Sequence, residues 1–300
     1  MRGDPSVHDG TFVHDGARVC YRVVDGAGRG RALPLVVLHG GPGVPHDYLE
    51  PLDRLALAGR PIVYYDQLGC GGSDARPGGP PWTVEGFVAE LEAVLRHLRL
   101  ERFHVLGHSW GGMLALEFAC RRPPGLAGLV AASCPASMRA WSAEAVRLRA
   151  ELPEAVRRGL EEHERLGTTD RDSYLALCME YYRRHVCRLD PWPACVTRAF
   201  AKMLERPEVY HAMNGPSDFH VTGTLRDWTI EDRLQSIDVP ALVTSGRYDE
   251  ATPALAERVH RGIAGSSWEV FERSAHLPHV EEPGRYLRRV EAFLARAERD

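Results

Sequence analysis

The chain has 300 residues, 44% of them hydrophobic and 26% charged, with a formal net charge of −4 at pH 7. That balance suits a globular protein with ample material for a core, and without a long basic run it argues against nucleic acid or an anionic membrane as partner. No segment offers the ~20 apolar residues needed to span a bilayer.

The first residues, Met1 to Ser6, lack a hydrophobic signal core, so a cytoplasmic protein is expected. Seven cysteines are scattered without C-x-x-C spacing, which fits reduced thiols rather than disulfides or a zinc site. Cys70, in a Gly-rich loop, is the candidate for an exposed thiol. The other six read as packing residues. The histidines show no H-E-x-x-H spacing. Neither a metal nor another cofactor is expected.

Along the chain, residues 19–24 (V-C-Y-R-V-V) read as a strand, with 11–14 as partner before the turn at Asp15-Gly16. Residues 35–38 (L-V-V-L) form a short continuous apolar run, the mark of a strand buried on both faces. It leads into His39-Gly40-Gly41-Pro42-Gly43. A glycine-rich loop there can bring a backbone N–H to a developing oxyanion. Residues 61–66 read as the next strand, ending in the loop Gln67 to Asp74. Residues 84–98 have helical periodicity, with Thr83 as N-cap.

The strand at 103–106 runs into Gly107-His108-Ser109-Trp110-Gly111, and a helix follows to about Arg121. Strand, G-x-S-x-G and helix together read as a nucleophile elbow, which holds a serine on a tight turn at the carboxyl edge of a sheet. Ser109 is the expected nucleophile. The N–H of Trp110, just after it, is an expected oxyanion donor. A strand at 128–133 follows. From about 140 to 204 strands vanish and Arg/Glu-rich helical segments follow one another, a run too long for an ordinary crossover. It reads as an inserted cap.

Strands resume at 241–245 and 268–271, and a last helix covers 283–297. The alternation indicates an α/β fold with a mostly parallel central sheet and helices on both faces. A serine needs a histidine to take its proton and an acid to orient that histidine. In this arrangement the chain order is Ser, acid, His. Asp249 and Glu250 both follow the strand at 241–245. His276 and His279 both follow the strand at 268–271. Location alone leaves each choice open.

These motifs carry a resemblance to the proline iminopeptidase family of α/β-hydrolases, including its tricorn-interacting aminopeptidases. The marks are H-G-G-P-G at His39, D-Q-L-G-C-G-G-S at Asp66, G-H-S-W-G-G at Gly107 and M-N-G-P-S-D-F at Met213. G-T-L-R-D-W at Gly223, G-R-Y-D-E-A-T-P at Gly246 and H-x-x-x-x-E-x-P at His276 complete them. The resemblance implies an α/β-hydrolase core over 1–138 and 223–300, with a helical cap over 139–222. It implies Asp249 as the triad acid and His276 as the base, and Gly41 with Trp110 as the oxyanion donors.

It also implies that Glu250 and Asp218 hold the amino terminus of the substrate. By this resemblance Glu is expected in the closest relatives where Asp218 stands, so this carboxylate is drawn back by about one carbon–carbon bond, roughly 1.5 Å. Ser109 Oγ is then expected within about 2.6–3.2 Å of the His276 ring, or looser without substrate. The expected activity is release of an N-terminal residue, proline or hydrophobic, from a small peptide, aminoacyl amide or ester through an acyl-enzyme. The alternative is an ester or amide hydrolase, or acyl transferase, acting on a specialised metabolite with the same triad. A non-catalytic binding protein on this scaffold is disfavoured by the complete set of Ser, Asp, His and oxyanion donors.

Overall fold

The computed structural model describes residues 5–26, 32–76, 78 and 82–299; the first four residues of the N-terminal stretch lie outside it. In chain order its elements are β1 (Val7–His14), β2 (Ala17–Val24), β3 (Leu35–Leu38), a 3₁₀ helix (His46–Ala58), β4 (Ile62–Tyr65), α1 (Val84–His97), β5 (Phe103–His108), α2 (Trp110–Cys120) and β6 (Leu126–Ala132). Then come five helices: α3 (Met138–Ala150), α4 (Glu154–Leu166), α5 (Asp172–His185), α6 (Ala194–Glu205) and α7 (Glu208–Met213). After β7 (Ala241–Gly246) follow α8 (Pro253–Gly262), β8 (Ser267–Phe271), α9 (Pro278–Glu281) and α10 (Pro283–Ala297).

The strands form one sheet in the order β1-β2-β4-β3-β5-β6-β7-β8. β1 and β2, and β2 and β4, pair antiparallel. Every pair from β4 through β3 to β8 is parallel. The β1 strand is longer than the expected 11–14, because its cross-strand register with β2 continues back to Val7↔Val24.

Side-chain alternation builds two cores from single strands. Val36 and Leu38 of β3 pack on one face with Val63, Val105 and the helices α1 and α2. Leu35 and Val37 pack on the other with Ile62, Tyr64, Leu106 and α10. A slip of one residue would exchange every such partner, so register here is strongly specified. Each buried aliphatic side chain contributes about 1.5–3 kcal/mol.

Helix α10 shows the matching signal on the covering layer. Its buried residues, Tyr286, Leu287, Val290, Phe293, Leu294 and Ala297, follow the 3.6-residue period of an apolar stripe. Thr83 caps α1 by accepting the Gly86 N–H at 3.1 Å. Helix α8 was not anticipated from the sequence, although Thr252-Pro253 is a helix-start signal. Cys70 is a correction. It is 1% exposed, its thiol directed at the Gln67 carbonyl 3.0 Å away, because the Gly-rich loop folds inward under β3.

The strand order reverses direction at β3. The chain passes to β4 on one side and later to β5 on the other. In an open parallel sheet that switch point leaves a crevice outside the carboxyl ends of the strands. The loops after β3 and β5 flank it, and they carry His39 to Gly43 and Ser109.

Candidate active site

The elbow is built by close backbone approach. A Cβ on Gly107 would lie 2.0 Å from the Gly111 carbonyl oxygen, and one on Gly111 would lie 2.1 Å from that of Leu38. Only hydrogen fits at either place. Ser109 is thereby held at φ 57°, ψ −123°, a sparsely populated conformation for an L-residue that tends to mark functional sites. Its N–H is anchored on the Ala132 carbonyl at 2.9 Å, and its carbonyl accepts from Gly112 and Met113 in the first turn of α2. Neither the Trp110 N–H nor the Gly41 N–H donates a hydrogen bond among the described residues. The first N–H groups of a helix have no intrahelical acceptor, so Trp110 offers a free donor.

The loop after β7 places Asp249, and the loop after β8 places His276. His276 Nδ1–H donates to Asp249 Oδ1 at 2.6 Å. The same carboxylate accepts the Ala251 N–H at 2.8 Å and the Gly246 N–H at 3.3 Å. The carboxylate is buried and fixed in place by these backbone donors. With Nδ1 so engaged, Nε2 is the free nitrogen of His276. Ser109 Oγ has no hydrogen-bond partner among the described residues, so the expected short contact with His276 is not made. Such bonds often tighten only around substrate.

His279 is placed differently. It is 1% exposed and donates through Nε2 to the Tyr48 carbonyl at 3.1 Å. Burial lowers its pKa to about 3 and keeps it neutral. His39, which opens the glycine-rich loop, has the same character. Its Nδ1–H faces the Gly40 carbonyl at 3.0 Å, its Nε2 accepts the Gln67 N–H at 2.9 Å, and burial lowers its pKa to about 4.

A hydrogen-bonded chain that the sequence did not reveal ties these pieces together. The Gly40 N–H donates to Tyr48 Oη at 2.8 Å. Tyr48 Oη lies 2.9 Å from His108 Nδ1, and His108 Nε2 lies 2.8 Å from the His276 carbonyl. A carbonyl only accepts, so His108 carries its proton on Nε2, and Nδ1 must accept from the Tyr48 hydroxyl. Every member then has one direction. Trp110 was expected to contribute its N–H, with the part played by its ring left open. The ring nitrogen donates to Gln67 Oε1 at 2.8 Å, while the ring packs edge-on against Phe87.

Helices α5, α6 and α7 lie over this edge. A cavity of about 40 Å³ opens at Ser109 and His276 and is walled by Tyr182, Phe200, Met203 and Tyr210. A second of about 20 Å³, lined by Met138, Trp141 and Leu225, opens on the Trp110 side of Ser109. Both expected amine-binding acids face this space. Glu250 lines the first cavity and Asp218 lines both. Glu250 Oε1 is 3.7 Å from His276 Nε2, and its buried Oε2 has no hydrogen-bond partner.

Burial, with the Asp218 and Asp249 carboxylates nearby, pushes Glu250 well above the usual carboxylate range. Asp218 is half-buried, and desolvation raises it also. Its Oδ1 accepts the Tyr210 hydroxyl at 2.8 Å. No Lys or Arg lines either cavity. The tyrosines were not singled out from the sequence. Tyr182 lies in the helical segment read at about 140–204, where aromatic residues are more often core, and Tyr210 lies beyond it.

A family model described as the alpha/beta hydrolase fold matches residues 34–283. A protein named proline iminopeptidase from Saccharolobus solfataricus is 36% identical, covering 93% of this chain and 89% of its own length. Among solved structures, the proline iminopeptidase of Mycobacterium smegmatis superposes with a TM-score of 0.90 at 43% identity, covering 97% of this chain and 98% of that one. The crystal structure of VinJ gives 0.94 at 45% identity, covering 98% and 99%.

Proposed function

The chain belongs to the proline iminopeptidases of the alpha/beta hydrolase fold, and from that premise we propose that it releases one N-terminal residue at a time from small peptides or aminoacyl amides. It is a hydrolase of the proline iminopeptidase type. The observation that carries the finer reading is the pair of carboxyl groups, Glu250 buried and Asp218 half-buried, facing a cavity lined by no Lys or Arg. Carboxylates in such a place need a positive charge from outside the protein. The ammonium of a free amino terminus supplies it. A longer chain would leave a buried carboxylate unpaired, which limits cleavage to the first residue.

In this reading Ser109 attacks the carbonyl carbon of the bound residue, and His276 takes its proton through Nε2. Asp249 orients the ring and stabilises the imidazolium. The Gly41 and Trp110 N–H groups receive the oxyanion. His276 then protonates the leaving amine, and water cleaves the acyl-enzyme by the same steps. Residues 139–222 act as a cap that limits the site to small substrates. The seven cysteines are all free, which supports a reducing, cytoplasmic location. Among the described residues no helix is long and apolar enough to cross a membrane.

The test compares an aminoacyl arylamide with its N-acetylated form. Acetylation removes the charge and keeps the scissile bond. A charge-assisted contact is worth about 1.5–3 kcal/mol, so kcat/KM should fall by roughly 10- to 100-fold. Equal cleavage of both forms would refute the aminopeptidase reading.

A further inference from the structure

The H-x-x-x-x-E-x-P stretch that holds His276 also contains Glu281, which no step of the mechanism above uses. Glu281 lines neither cavity. It stands at the end of α9, and both of its carboxylate oxygens accept backbone N–H groups. Oε2 takes that of Ala275, the residue before His276, at 2.7 Å. Oε1 takes that of Arg188, in the turn after α5, at 2.8 Å. One side chain thus joins the helices over the site to the loop that carries the base.

The same turn makes further contacts with the site. The His185 carbonyl accepts the Glu250 N–H and the Val186 carbonyl accepts the His276 N–H, each at 3.1 Å. The His185 ring donates through Nδ1 to the Tyr248 carbonyl at 3.0 Å, and the Arg188 guanidinium lies 3.7 Å over the Tyr248 ring. Residues 185–188 therefore grip the loop after β7 and the loop after β8 together.

From Arg273 to His276 every backbone N–H has an acceptor. The first two are answered by β8 and its surroundings alone: Arg273 donates to Glu282 Oε2 at 3.0 Å, and Ser274 to the Phe271 carbonyl at 3.3 Å. The last two are tied to the turn after α5, Ala275 through Glu281 and His276 directly through Val186.

We propose that Glu281 is a positioning residue for the base: by clasping Ala275 and Arg188 together it fixes the backbone of His276 against the turn after α5, and so sets where Nε2 stands relative to Ser109. The inference rests on His276 as the base and goes beyond that reading. It makes the helices above the site part of the scaffold for proton transfer, and not only its wall. Asp249 holds the ring at Nδ1, but the ring also moves with its own backbone, and a misplacement of about 1 Å can cost roughly 100-fold in rate. A carboxylate suits the task because both of its oxygens accept. Val186 shows how closely wall and scaffold are joined, since it lines the cavity while its carbonyl holds the base.

Two variants break the clasp in different ways. Glu281→Gln keeps the size but offers one acceptor oxygen, and its NH2 must face a backbone N–H. Glu281→Asp keeps the charge and both oxygens, but it is shorter by about one carbon–carbon bond, roughly 1.5 Å, and cannot reach both donors. In each, kcat per active site, with sites counted by the final extent of fluorophosphonate labelling, should fall by about 10- to 100-fold. The fall should be the same for a free-amine arylamide and for a simple uncharged ester, because both reactions need His276. KM should move less. Wild-type kcat in either variant, with only Tm lowered, would reduce Glu281 to a structural link and overturn the proposal. A loss confined to free-amine substrates, or to KM, would overturn it as well.

A double variant separates this inference from the reading beneath it. If Glu281 acts through His276, then Glu281→Gln adds nothing to the loss that His276→Ala has already caused, because the two changes are coupled. A further fall of about 10-fold or more in the double variant would show that Glu281 acts elsewhere. Near-normal turnover of His276→Ala alone would instead refute the base assignment itself.

Discussion

The two sides of Ser109 are built to opposite rules. On one side the groups that hold Ser109 and His276 in place are paired. Gly40, Tyr48, His108 and the His276 carbonyl form one directed chain, and Asp249 accepts from His276 and two backbone N–H groups. On the cavity side one buried polar atom is left over, Glu250 Oε2. Buried polar atoms are nearly always paired, so an orphan beside a cavity marks a place completed by something else. A satisfied network positions; an unsatisfied one waits for a ligand.

The largest effect should come from the point where the two sides meet. Ser109→Ala is expected to lose hydrolysis by several orders of magnitude while keeping the fold, with the residual rate owed to binding and the oxyanion donors. Steady-state kinetics and fluorophosphonate labelling check this, and normal turnover in the variant would sink the serine mechanism. His276→Ala should be about as damaging, because triad members act as a unit. His279→Ala should cost much less activity, since that ring meets the Tyr48 carbonyl and not Ser109. The reverse ranking would move the base to the other histidine.

Tyr48→Phe tests the satisfied side directly. It removes one oxygen and strands the Gly40 N–H and His108 Nδ1. Each stranded buried group costs about 1–3 kcal/mol, so kcat should fall by roughly 10- to 100-fold. KM should change less than kcat, because the hydroxyl is engaged by Gly40 and His108 and the ring that lines the cavity is kept. A rise in KM at constant kcat would place Tyr48 in binding instead of positioning.

The smallest effect sharpens the rule about orphans. Glu90 Oε2 is also buried without a partner, but it lies under the loop after β4, where Oε1 accepts the Leu68 N–H at 2.9 Å, and it lines neither cavity. Burial raises its pKa to about 8. The folded state thus holds a proton that the unfolded chain has already lost. The stability this proton carries is complete below the ordinary carboxylate range, and it drains away as pH rises towards 8. Glu90→Gln should leave activity near neutrality unchanged and shrink the fall in Tm between pH 5 and pH 8 by several degrees. An unaltered Tm profile would show that Glu90 is ionised in the fold.

Much of this molecule was legible in local sequence. Continuous apolar runs marked the parallel strands, and the switch to helical period marked the covering layers. G-x-S-x-G needs only its own neighbours, because its glycines answer to a turn a few residues long. The order of Ser109, Asp249 and His276 also follows from which strand each residue succeeds. What the sequence left open were contacts between distant segments. Tyr48 and His108 are 60 residues apart, and His108 and His276 are 168 apart.

His276 and His279 stood equal by position; burial against the Tyr48 carbonyl on one side, and the Asp249 carboxylate on the other, set them apart. The orphan oxygen of Glu250 could not be seen at all, because an unpaired atom is defined by what fails to reach it. Periodicity and turn chemistry are local and can be read along the chain. Hydrogen-bond direction, burial and charge balance depend on every segment that packs around a group, so only the tertiary structure decides them.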